Sequence, residues 1–276
     1  MTIMILISAI LFCSIFVIRF SKTKRSKMKK RIARYIAFLL IQAITSENKE
    51  VHIKKLKKFL IQKENPHVSL KALASTEIVK LAKAISDHHL PALQGLFLNL
   101  GLQTYNIRQA EKGNLKKKLK AFEALSKLRI VTAIPVLTQY VLEKNKALRA
   151  EAIMSLMRLS YDPLFFLENP KITISVWEAM KIHGLLKELP KEKIPQFTRW
   201  LDHKQKSVVL FSLRMILHYQ QKADLHQLSR LVKSKSARIA DEAQKALILR
   251  KILVYSDPDE EDNQLNEPNY EFSKVA

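Results

Sequence analysis

AIPVLTQYVLEKNKALRAEAIMSLMRL, residues 133–159, reads as two helices joined by a short polar turn around Asn145 and Lys146. Ala133-Ile134-Pro135-Val136-Leu137 opens the first helix. A proline in the first turn of a helix lacks only an amide that would have no partner there, and its fixed φ suits the helix. The second helix carries Leu148, Ala152, Leu156 and Leu159 at three- and four-residue spacing, which places them on one face. Ala152 is small and follows an aliphatic residue by four, so a neighbouring helix can approach closely there.

The same face recurs along the chain. Val208, Ser212, Ile216 and Tyr219 repeat the spacing, as do Ile239, Ala243 and Leu247, and Ser175, Ala179, His183 and Leu186. Glu151, Glu178 and Glu242 each stand directly before a small residue of the series. The steps from Ala152 to Ala179, Ser212 and Ala243 are roughly 27 to 33 residues, within the range of stacked helical repeats. Lys193-Ile194-Pro195-Gln196-Phe197 repeats the proline opening ahead of the Val208 helix. Periodicity predicts helices over 50–63, 68–86, 88–111, 115–129, 133–144, 147–160, 173–189, 193–203, 207–220, 225–233 and 237–254. Breakers stand between several of them: Asn65-Pro66, Gly113-Asn114, Asp162-Pro163, Asn169-Pro170 and Leu189-Pro190.

An A-I-P-x-L opening, a short polar turn and a second helix reading L-R-x-x-A together resemble the HEAT repeat. The resemblance is best over residues 133–159 and covers about half the chain, residues 115–254. The chain is similar to the membrane-anchored HEAT-repeat proteins of bacteria. That resemblance implies an armadillo-like α-solenoid with a protein-interaction role, and it supplies no catalytic residue. Val209, and the pair Val176-Trp177, stand where arginine is usual, so any polar ladder from repeat to repeat is interrupted.

Composition agrees with an all-α chain. Four glycines in 276 residues leave little material for hairpin turns or phosphate-cradling loops, which need φ > 0. Hydrophobic residues make up 47%, enough for a core. Cys13 is the only cysteine, so neither a disulfide nor a cysteine zinc site forms within one chain. A net charge of +23 implies an acidic partner, and nucleic acid and anionic lipid both qualify.

Residues 1–18 carry no charged side chain. As a helix they reach about 27 Å, near the thickness of a bilayer's hydrocarbon core. No basic segment precedes the run, and no small-residue cleavage site follows it, so the expectation is an uncleaved single-pass anchor over 1–20. Arg19, Lys22, Lys24, Arg25, Lys27, Lys29, Lys30, Arg31 and Arg34 follow, with no acid before Glu47. Such a cluster orients the N-terminus outward and the helical domain toward the cytoplasm, and sets these nine cations against anionic headgroups. Residues 21–48 then form a basic juxtamembrane segment and a capping helix, 49–255 the HEAT-like domain, and 256–276 an acidic, disordered tail.

A search for chemistry returns little. The glycines make no phosphate loop, and there is no H-E-x-x-H, so no cofactor, metal or catalytic residue is expected. His183 reads as a satisfied core histidine, and the three repeated glutamates as surface residues paired with nearby lysines. Second helices of stacked pairs line a concave face, and Arg149, Arg158, Trp177, Lys181, Arg214 and Arg238 are the candidate partner-binding residues there. The expected function is a membrane-held scaffold for another protein. The alternative is a nucleic-acid-binding HEAT-like protein, at the extreme resembling a DNA glycosylase and using Trp177 or Trp200. The clustering of cations before Lys58, away from the repeats, argues against it. The sequence leaves the oligomeric state open.

Overall fold

The protein is described here from a computed structural model. It describes residues 2–46, 48–62 and 69–255, with side chains for 23, 24, 26–46, 48–61 and 69–252. The expected acidic tail lies outside these residues. The described residues form helices and connecting turns, with no strand among them. The chain divides into two compact units, Met1–Leu159 and Ser160–Ala276.

The first unit opens with α1, Thr2–Thr45. This one helix joins what the sequence suggests as anchor, basic segment and cap. The apolar run passes into the basic cluster with no break in the helix. Among the described residues no helix is long and apolar enough to cross a membrane. The expected single-pass anchor is therefore corrected, and with it the outward N-terminus and cytoplasmic domain that depended on it. Of the nine cations, Lys24, Lys27, Lys29, Lys30, Arg31 and Arg34 are exposed, and the side chains of Arg19, Lys22 and Arg25 lie outside the described residues.

The last turns of α1 pack on α2, Lys49–Gln62, and α3, Leu70–Ala84, through buried Ile36, Leu39, Leu40 and Ala43. Then come α4, Leu90–Asn99, and α5, Leu102–Lys112. The sequence suggests one helix here. Gly101 breaks it at φ 65°, a backbone that glycine alone adopts freely. Next are α6, Leu115–Lys127, the short α7, Ile134–Thr138, and α8, Lys146–Leu159. The second helices form a row, α3 on α6 and α6 on α8, flanked by α5 and α7. Small residues permit this: Ala121, Ala124 and Ala152 are buried, and buried Ser155 Oγ donates to the Phe122 carbonyl at 3.3 Å.

The second unit contains α9, Val176–Leu186, α10, Lys206–Tyr219, α11, Leu225–Val232, and α12, Ala237–Tyr255. Here α10 packs on α12, and α11 flanks α12, the same arrangement again. Val208, Ser212, Ile216, Ile239 and Ala243 are all buried, so the repeated face is packed on α10 and α12; on α9 the buried residues are instead Glu178, Ile182 and Leu186, with Ser175 exposed and Ala179 and His183 half-buried. The expected helix over 193–203 is absent. Pro195 disfavours α geometry at Ile194, which is extended (φ −72°, ψ 119°), leaving 3-10 turns at Lys191–Lys193 and Phe197–Trp200. Gln221 repairs the loop: its Oε1 accepts from Phe197 N and its Nε2 donates to Pro195 O, both at 2.9 Å.

Candidate functional site

The six candidate partner-binding residues do not form one set. Arg149 and Arg158 belong to α8 in the first unit, while Trp177, Lys181, Arg214 and Arg238 belong to the second. Arg149 is half-buried, with Nη1 donating to the Glu143 carbonyl at 3.4 Å. Arg214 Nε pairs with Glu242 Oε1 at 3.0 Å, tying α10 to α12. Arg158 and Arg238 are exposed.

Trp177 and Lys181 do come together, one turn apart on α9. The Lys181 ammonium lies 4.0 Å from the centre of the Trp177 indole, a cation–π contact. Around them the helix is unusually apolar on its outer side. Val176 is 72% exposed, Trp177 50% and Met180 68%. The start of α9 is firmly set: Ser175 Oγ accepts from Glu178 N at 3.3 Å, and Glu178 Oε2 accepts from Ser175 N at 2.9 Å. This reciprocal cap orients the first turn, on which Val176 and Trp177 stand. It also revises the reading of the repeated glutamates. Glu178 is buried in a capping box, and Glu242 pairs with Arg214.

His183 departs from expectation as well. Its Nε2 is buried with no hydrogen-bond partner, and its ring meets His218 edge-on at 4.3 Å between centroids. Burial lowers its pKa below the ordinary histidine value, and the neighbouring charges of His218 and Lys187 lower it further. Tyr219 stacks on Phe197, its hydroxyl also unpartnered, and burial raises its pKa. Trp200 is core: it is buried, Nε1 donates to Glu168 at 3.1 Å, and Arg199 lies over its ring. It offers no surface to a nucleotide base. No group of three metal-ligating side chains occurs among the described residues.

Sequence reasoning missed a cavity in the first unit. It lies between α3, α5 and α6 and is rimmed by Lys80, Lys83, Lys117 and Lys120. The available signal was the polar pair Ser75 and Asn106, set in helices at positions that packing would give to apolar residues.

No protein-family profile matches the chain, and no curated protein matches it. Among solved structures, one engineered protein is similar over 78% of this chain and 68% of its own, at 11% identity and a TM-score of 0.40. A second engineered protein is similar over 79% of this chain and 96% of its own, at 14% identity and a TM-score of 0.31. What the helices themselves establish is an all-helical protein with repeated helix packing.

Proposed function

We propose that the chain is a HEAT-type, armadillo-like helical-repeat protein that acts by binding another protein, with the outer face of α9 at the centre of contact. On this reading it performs no chemistry. The supporting observation is the cluster Val176, Trp177 and Met180, left more than half or half exposed on one helix. Contiguous apolar side chains on an otherwise charged surface mark interaction sites, and tryptophan and methionine are enriched in the buried centres of protein interfaces. Lys181 over the indole, and the net charge of +23, favour a partner that surrounds an apolar pocket with acids.

The test is affinity capture of the tagged full-length chain from native cells, beside a Trp177→Ala/Met180→Ala variant. Defined proteins should be retained by the first and reduced about tenfold or more in the second, the effect of losing an aromatic anchor. If capture is the same for both, α9 is not the contact. If the captured material is nucleic acid released by moderate salt, the nucleic-acid reading replaces this one.

A further inference from the structure

The cavity between α3, α5 and α6 has a volume of about 240 Å³ and lies wholly within the first unit. Its floor is polar. Ser75 and Asn106 are both buried, Ser75 Oγ donates to Asn106 Oδ1 at 3.2 Å, and Asn106 Nδ2 donates to the Leu102 carbonyl at 2.7 Å. Buried polar groups cost free energy unless fully satisfied, and a helical stack has no need of them at this depth. One wall is apolar, formed by Ala72 and Val79.

The rim is cationic. Lys80 and Lys83 stand three residues apart on α3, and Lys117 and Lys120 three apart on α6, so each pair shares a helix face. The α3 pair is neutralised: Lys80 meets Glu77 at 2.7 Å, and Lys83 meets Glu123, the carboxylate in the lining. Lys117 and Lys120 meet no carboxylate among the described residues. Two like charges are thus held at the mouth of a partly apolar cavity without a counter-charge. An anion entering there would gain from both.

We propose that this cavity binds a small phosphate monoester, with the dianion between the Lys117 and Lys120 ammoniums and the organic body against Ala72 and Val79. Charge selects the class, because a phosphate monoester near pH 7 carries close to two negative charges, matching the two unpaired ammoniums. Lysine binds phosphate as a compact point charge. Size suits a small organic body, since the cavity falls below the roughly 300 Å³ at which pockets begin to hold drug-sized molecules. The Ser75–Asn106 floor supplies hydrogen bonds for a polar substituent on the body. The site is independent of α9 and does not rest on the protein-binding role.

Phenyl phosphate is a direct probe. Calorimetric titration of the full-length chain should give saturable binding, tighter than inorganic phosphate because of the ring, and tighter than benzoate because of the second charge. A Lys117→Gln/Lys120→Gln variant should bind about tenfold more weakly or worse, the scale of losing charge-assisted hydrogen bonds. Both lysines are exposed, so this variant should melt as the native chain does. Lys204→Gln/Lys206→Gln removes the same charge from exposed positions in the second unit and should bind as the native chain does. The proposal is overturned if the two variants weaken binding equally, which would mean general attraction to a basic protein. It is also overturned if inorganic phosphate or benzoate binds as tightly as phenyl phosphate, or if no saturable binding occurs.

Discussion

The imidazole of His183 is held neutral by its surroundings: burial first, then the charges of His218 and Lys187. An unfolded chain has no such constraint and titrates near 6.5. Stability from this residue is therefore complete above about pH 6.5 and is lost as pH falls from there through the lower folded value, because the unfolded state takes up a proton that the native state resists. The melting temperature should fall between pH 7.5 and 5.5, and His183→Asn should flatten part of that slope. An identical slope in the variant would place the acid sensitivity elsewhere. Little of this was legible in the sequence. Spacing put His183 on the packed face, but only the three-dimensional neighbourhood reveals an unpartnered Nε2 beside a second histidine. Glu178 looks in sequence like Glu242, yet it lies three residues after Ser175 and so closes a cap. Lys117 and Lys120 sit in a run, KKKLK, whose ordinary meaning is a wet surface.

Helices were more legible than side-chain roles. Ala243 was read as the small residue of a repeat, and it is fully buried where α12 meets α10 and α11. Ala243→Leu should destabilise the protein by about 1–3 kcal/mol through overpacking. Gln244→Leu, on the neighbouring exposed position, should stay within about 0.5 kcal/mol. Denaturant unfolding of the two variants measures the contrast, and equal effects would show that close approach at residue 243 does not matter. Where element reading failed, backbone chemistry outweighed periodicity. The apolar pattern runs through Gly101 and Pro195 without a gap, but the first turns left-handed and the second denies an amide and crowds the residue before it. Length was the other source of error. The apolar run continues into lysines in one helix, and among the described residues no helix is long and apolar enough to cross a membrane.

Across the whole molecule, 48 basic against 25 acidic side chains leave a net charge of +23. Exposed ion pairs such as Arg129–Asp87 contribute about 0–1 kcal/mol each, so repulsion outweighs them. Raising ionic strength from about 0.01 M to 0.15 M shortens the screening length from about 30 Å to 8 Å. The melting temperature should rise over that range in a thermal unfolding series, and a fall would mean that the ion pairs dominate. Gln221 carries a consequence of another kind. One amide serves as donor to Pro195 and acceptor from Phe197, two roles that glutamate or leucine cannot both fill. Among descendants of a common ancestor, residue 221 and the loop at 195–197 should therefore drift as a pair. Lineages that keep the proline keep the glutamine, and those that regain a regular helix there release position 221 to vary.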